Sequence, residues 1–226
     1  MHIPDGYLSP ATCAVLYAAM APVWYLSGRK MKSEMNEKRI PFAAMGAAFV
    51  FIIMMFNIPV PGGTTGHATG GVLASIILGP WAACMAVTVA LAIQALLFGD
   101  GGITAFGANC FNMAFVCVFA GYWVFRAVAM GSAPDSKRRI WAAGAGGYIG
   151  LNLAALATGV EFGIQPLLYK TASGQALYCP YGFGTAIPAM LLSHMLLFGI
   201  VEAAITALVV KYLSKHDAAL LEGGVS

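Results

Sequence analysis

The chain opens Met1-His2-Ile3-Pro4-Asp5-Gly6, and its first two residues carry three nitrogens at chelating spacing. The α-amine of Met1 and the amide nitrogen of His2 close a five-membered ring on a metal ion. The same amide nitrogen and Nδ1 of His2 close a six-membered ring through Cα, Cβ and Cγ. The three donors then lie near one plane, and tetragonal nitrogen sets of this kind suit Ni(II) or Cu(II). Coordination through the amide requires that nitrogen to lose its proton, which these ions drive and Zn(II), Mg(II) or Ca(II) do not. Any residue ahead of Met1 would turn the amine into an amide and remove a donor. Met1 is therefore expected to stay, and no signal peptide is read here: no Lys or Arg precedes Arg29, whereas a secretory signal begins with a basic stretch.

A fourth nitrogen must come from elsewhere, and the chain has only 4 histidines. His67 lies in "IPVPGGTTGHATGG", among Gly62, Gly63, Gly66, Gly70 and Gly71, residues that let a backbone fold closely around an object. Thr64, Thr65 and Thr69 supply hydroxyls expected to orient its imidazole. His194, in "LLSHMLL", falls inside an apolar run and is expected to be a neutral, structural imidazole, although an ionisable group in a span is a functional candidate by default. His216 sits in a charged tail and is read as solvated. In "FGDGGITAFGANCFNMA", Asp100, Gly101 and Gly102 form a turn, and Asn109 and Asn112 either support the binding loop or pack helices. Glu161 and Glu202 are acids in apolar runs with no evident cation, and neither receives a role. The 5 cysteines form no CxxC pair and read as small buried hydrophobes.

The elements that position these residues must lie in lipid. The 226 residues are 60% hydrophobic and 9% charged, against about 25% charged in an ordinary soluble domain. The formal net charge of +3, without interleaved basic and aromatic residues, excludes a nucleic-acid partner. Uninterrupted apolar length predicts an all-α polytopic membrane protein with about seven helices. They are expected at Ser9 to Gly28, Ile40 to Asn57, Gly70 to Gly79, Trp81 to Phe98, Gly107 to Met130, Ile140 to Gln165 and Ile187 to Leu213. The third looks too short to cross alone and turns at Gly79-Pro80. The whole of 1–226 reads as one membrane domain.

Charge sets the expected orientation. Arg29, Lys30, Lys32, Lys38 and Arg39 fall between the first two helices, Lys137, Arg138 and Arg139 between the fifth and sixth, and Lys211 and Lys215 after the last. The positive-inside rule makes these segments cytoplasmic. The connections at 58–69, 99–106 and 166–186 carry one basic residue, Lys170, and face outward. An odd helix count with a cytoplasmic C-terminus then leaves the N-terminus outside, on the same face as His67.

"MHIPDGYL", "GTTGHATGG" and "GDGGITAFGANCFNMA" together resemble the CbiM/NikM family, the nickel/cobalt substrate-binding (S) membrane subunits of energy-coupling-factor transporters. The resemblance covers nearly the whole chain. It implies an S-component core with an extra N-terminal helix in the plasma membrane, and a divalent metal held by Met1, His2 and His67. It also implies a transmembrane coupling protein, two cytoplasmic ATPases and room for a small accessory membrane subunit, with metal released inside when the subunit topples. The chain itself has no GxxxxGK[ST] loop, so ATP hydrolysis falls to partners. Small residues at Ala43, Ala44, Ala47 and Ala48 suit close helix approach; in this family type such a face docks the coupling protein, and packing within the chain explains it equally well.

The expected function is capture of Ni(II) at the outer face by four nitrogens for ATP-driven import, with Co(II), for cobalamin synthesis, as the alternative ion. The ion is cargo, and no cofactor is implied. An intramembrane metalloenzyme built on His194, His67 and Glu202 is the remote alternative. Catalytic zinc wants three protein ligands in tetrahedral geometry, and no HExxH pair is present.

Overall fold

The computed structural model describes residues 1–34, 40–60 and 64–222, apart from the side chains of Glu34, Val60, Thr64 and Glu222. Lys38, Arg39, Gly62 and Gly63, and the hydroxyl expected from Thr64, lie outside the described part. The helices are α1 (Pro10–Glu34), α2 (Ile40–Met54), α3 (Gly71–Leu78), α4 (Pro80–Phe98), α5 (Phe106–Ala129), α6 (Lys137–Leu168), α7 (Phe183–His216) and α8 (Ala219–Glu222). Between α2 and α3 stands an antiparallel hairpin, β1 (Ile58–Val60) and β2 (Thr64–Gly66), with Ile58 opposite Gly66. An all-α reading omits this element.

Five helices, α1, α4, α5, α6 and α7, are long and apolar enough to cross a membrane. The other two expected segments fall short. At about 1.5 Å per residue, the 15 residues of α2 and the 8 of α3 do not reach the roughly 30 Å of a hydrocarbon core. Gly79, with φ 84°, stops α3, and Pro80 starts α4 at once. In contrast, α1 runs past Gly28 through its basic last turn. At the other end of α4, Gly99 turns left-handed (φ 65°) and its N–H meets the Gln94 carbonyl, a common helix stop.

α6 packs along both α5 and α7. Glycines permit the approach to α5: a Cβ on Gly146 would stand 2.6 Å from the Gly121 carbonyl oxygen, and one on Gly150 2.6 Å from that of Cys117. Without a hydrophobic drive between helices in lipid, such close backbone packing is what associates them. All five cysteines are free and buried. Large apolar side chains such as Leu97, Trp141 and Leu196 point outward, as lipid-facing residues do.

The two ends of the bundle differ chemically. The N-terminal segment, residues 1–9, meets loop 99–105 and the 169–182 connection at one end, where Gly102 N–H bonds Ile3 O and Cys179 N–H bonds Tyr7 O. At the other end Arg138 donates to Val128 O and Arg139 to Leu221 O, close to the last turn of α7 with Lys215. Three helices contain π-helical stretches, Gln94–Phe98, Cys110–Cys117 and His194–Phe198. Such widenings re-aim side chains and recur at functional sites. Here one of them aims Gln94 at His2.

Candidate metal centre

The first residues form no regular element and are threaded into the protein as an anchored segment. The Ile3 N–H donates to Asn109 Oδ1 at 2.8 Å, and Asn109 Nδ2 donates back to Ile3 O at 3.1 Å. Asp5 accepts from the Thr104 N–H at 2.8 Å and the Ile103 N–H at 3.2 Å, and also from the Thr104 hydroxyl. Gly102 allows this: a Cβ there would stand 2.3 Å from Asp5 Oδ1 and 2.5 Å from its backbone nitrogen. The result is a Met1 only 3% exposed, its amine donating to Thr65 O at 3.0 Å.

His2 and His67 stack with ring centroids 4.7 Å apart, and His2 Nδ1 stands 3.2 Å from His67 Nε2. His67 Nδ1 lies 3.0 Å from Ala68 O. A carbonyl only accepts, so Nδ1 carries the proton and Nε2 presents a bare lone pair to His2. His2 Nε2 faces Gln94 Oε1 at 3.2 Å, and His2 Nδ1 also faces Asp100 Oδ1 at 3.3 Å. A neutral imidazole has one proton for two nitrogens, yet every one of these neighbours accepts. With the proton on Nε2 toward Gln94, the lone pairs of His2 Nδ1 and His67 Nε2 converge with no hydrogen between them. A positive ion relieves that mismatch. Two nitrogens each about 2 Å from one ion stand between about 2.8 Å apart at right angles and 4 Å apart when opposite, which brackets the observed separation.

Burial keeps all three groups deprotonated at neutral pH. It lowers the Met1 amine from 8.0 to about 5, with Asp100 opposing in part. It takes His2 down to about 3, helped by the nearby amine and opposed by Gln94, and holds His67 well below its ordinary 6.5. Desolvation disfavours each charged form, so the lone pairs are available. Among the described residues, no group of three His, Cys, Asp or Glu side chains is gathered to hold a metal. The set is completed only by counting main-chain nitrogens.

The supporting residues are partly other than expected. Thr65 offers its carbonyl to the amine, and Ala68 O meets the His67 ring. The Thr69 hydroxyl faces Glu202 Oε1 at 3.2 Å, while Glu202 Oε2 accepts the Thr69 and Gly70 N–H groups at 2.6 and 3.0 Å. Glu202 thus grips the backbone just after His67 at the start of α3, where free N–H groups favour an anion. Asn109 secures the N-terminal segment, not the His67 loop, and Asn112 donates to Glu161 Oε2 at 2.7 Å. His194 is buried, with Nδ1 2.7 Å from Met190 O. Ala44 and Ala48 lie exposed on α2, Ala43 and Ala47 half-buried. Gln94, Asp100 and Glu202 are the additions to the site that sequence reasoning lacked; a charged residue within an apolar helix was the one available signal, for Glu202.

A cavity of about 230 Å³ adjoins the amine, lined by Met1, His2, Tyr7, Thr65, Tyr181 and Met190 among others. It leaves space beside the amine at the end that carries the N-terminal segment.

With this geometry in view, the comparisons with known proteins are specific. The fused nickel transport protein NikMN of Rhodobacter capsulatus is 52% identical over 221 residues, 98% of this chain and 64% of that protein. The probable fused nickel transport protein LarMN of Lactiplantibacillus plantarum is 51% identical over 217 residues, 95% of this chain and 65% of that protein. The chain thus spans just under two thirds of the length of these two relatives. The crystal structure of a truncated transition metal transporter superposes with a TM-score of 0.90 at 54% identity, covering 96% of this chain and 99% of that one. These two relatives are named as nickel transport proteins, and the five long apolar helices make this chain a multi-pass membrane protein. The model of the cobalt uptake substrate-specific transmembrane region matches residues 2–220, and the chain belongs to that family, CbiM.

Proposed function

We propose that this chain is the substrate-binding subunit of an ATP-driven energy-coupling-factor importer and that it captures Ni(II) from the outer face. The ion sits in a plane of four nitrogens: the Met1 amine, the deprotonated His2 amide, His2 Nδ1 and His67 Nε2. The observation that carries the reading is His2 Nδ1 facing His67 Nε2 at 3.2 Å, with the other nitrogen of each ring turned to an accepting oxygen and a buried amine beside them. Nickel is preferred to cobalt because four nitrogens in a plane favour low-spin Ni(II), and two relatives more than 50% identical to the chain are named for nickel. Co(II) is the alternative cargo.

The orientation follows the basic residues. Arg29, Lys137, Arg138, Arg139 and Lys215 gather at one end, which we place in the cytoplasm, with the N-terminus and the metal centre outside. This needs an odd number of crossings, which the five long helices supply; the short α2 and α3, counted as a pair, leave that parity unchanged. A coupling protein docks on the Ala44 and Ala48 side of α2, with Ala43 and Ala47 beneath, and two ATPases supply the energy. The test is the absorption spectrum of the nickel-loaded chain in detergent. A yellow, diamagnetic complex is expected, and His2→Ala should abolish it together with nickel retention. A green, octahedral complex would sink the four-nitrogen site.

A further inference from the structure

We propose that the cleft between the end of α5 and the start of α6 holds the phosphate headgroup of an anionic membrane lipid. The cleft measures about 480 Å³ and is lined by Trp123, Arg126, Met130, Ser132 and Arg139 among others. None of its lining residues is acidic; Asp135 lies on the connecting loop and does not line it. The two guanidinium groups are held by rings. Arg126 sits 5.9 Å over both Tyr122 and Trp123, and Arg139 sits 5.6 Å over Phe125. Arg139 Nη2 already donates to Leu221 O, so Arg126, a planar guanidinium laid on aromatic faces, is the one positioned to meet phosphate oxygens through paired N–H donors, with Arg139 adding its charge. A third cation stands close by, since Arg138 Nε donates to Val128 O at 2.6 Å.

The depth of the cleft selects a lipid over a free anion. Trp123 is 58% exposed, Met130 74% and Trp141 78%, on the outer surface of helices that carry the membrane spans. Exposed tryptophans mark the level of the headgroups. An acyl chain leaving the cleft meets the apolar faces of Trp123 and Met130, which a free phosphate has no means to use. Basic pockets between spanning helices are where anionic headgroups settle. The inference needs only that this end meets a membrane interface, so it stands apart from the nickel reading.

The test is native mass spectrometry of the full chain released from detergent with phosphatidylglycerol or phosphatidylcholine of matched chains. Phosphatidylglycerol should be retained in preference. Arg126→Gln should weaken that retention about fivefold, the worth of one basic residue beside an anionic surface, and Arg126→Lys, which keeps the charge but not the planar fork, should restore only part of it. Equal retention of the two lipids overturns the proposal, as does an unchanged Arg126→Gln. Displacement of phosphatidylglycerol by millimolar inorganic phosphate overturns it too, by making the site one for a free anion. A second measurement needs no arginine variant. Phosphatidylglycerol brominated on its chains should quench the emission of the wild-type chain more than brominated phosphatidylcholine does, and Trp123→Phe should remove the difference; quenching that ignores headgroup or Trp123 counts against the site.

Discussion

Glu202 on α7 and Thr69 on the loop after His67 are joined at both ends of one residue: the carboxylate takes the Thr69 N–H at 2.6 Å and its hydroxyl at 3.2 Å, with the Gly70 N–H at 3.0 Å. The loop that carries His67 is therefore fixed by a carboxyl group on a helix more than 130 residues away. Glu202→Gln keeps the shape and replaces one of the two accepting oxygens with an NH2 donor. Partners of this indirect kind typically change metal affinity about 10- to 100-fold. The expected outcome is nickel affinity reduced by that factor in competition with a chromophoric chelator, and a loss of the yellow band as His67 leaves the plane. An unchanged dissociation constant would remove Glu202 from the site.

The N-terminal segment makes a second prediction. Asn109→Ala strips the acceptor from the buried Ile3 N–H, while Ile3 O keeps its bond from Gly102. One orphaned buried donor costs about 1–3 kcal/mol. The cost falls locally, on the segment that carries the amine, so nickel should dissociate faster while the melting of the helical bundle changes little. Gly102→Ala should do the same by sterics, through the clash with Asp5. Stopped-flow release to excess chelator checks both, and wild-type rates in both variants would mean the segment needs no such anchoring.

How much of this was legible in the letters follows from distance along the chain. Met1 and His2 are neighbours whose donors form chelate rings by bond counting alone, and His67 stands out as one of few histidines, in a glycine-rich loop. Gln94 is one polar letter in "LAIQALLF", and its partnership with His2 bridges 92 positions. Asp100 reads as an ordinary turn residue until the fold lays it beside His2. Thr69 looked suited to the imidazole, but its hydroxyl is committed to Glu202. The hairpin strands have three residues each, too few for a period of two to register. Apolar runs located the long helices well, because lipid imposes length. They overstated α2, which ends at Met54 and not at Asn57, whereas α3 is the short segment that the sequence indicated.

Proton competition gives a third prediction with a definite sign. An ion bound through the four nitrogens displaces the His2 amide proton at every accessible pH. It displaces an amine proton only where the unloaded amine holds one, which burial confines to pH values near and below about 5. Log affinity should therefore rise about one unit per pH unit between about pH 6 and 8. Below about pH 5 the dependence should steepen to about two units per pH unit, as the amine is protonated as well. A free peptide with an ordinary amine, near pKa 8, would show the steeper dependence up to neutral pH. Chelator competition across this range separates the cases: a flat profile between pH 6 and 8 sinks the amide ligand, and a two-proton slope there sinks the buried neutral amine.

The last prediction separates chemistry from space at the amino end. Acetylation of Met1, or one glycine placed ahead of it, converts the amine into an amide and deletes a donor. The objection that a buried terminus would simply clash is met by the cavity of about 230 Å³ beside Met1, ample for an acetyl group. The capped chain should therefore fold and melt like the unmodified one in the absence of metal. What changes is the donor set: two rings and an amide nitrogen remain, without the amine that completes the five-membered chelate ring. The capped chain should lose the yellow complex and retain nickel only weakly, while His67→Ala, which leaves the amine free, should keep the three-nitrogen chelate and fall between the two. Equal nickel retention by capped and uncapped chains of equal stability would mean that the amine is not a ligand.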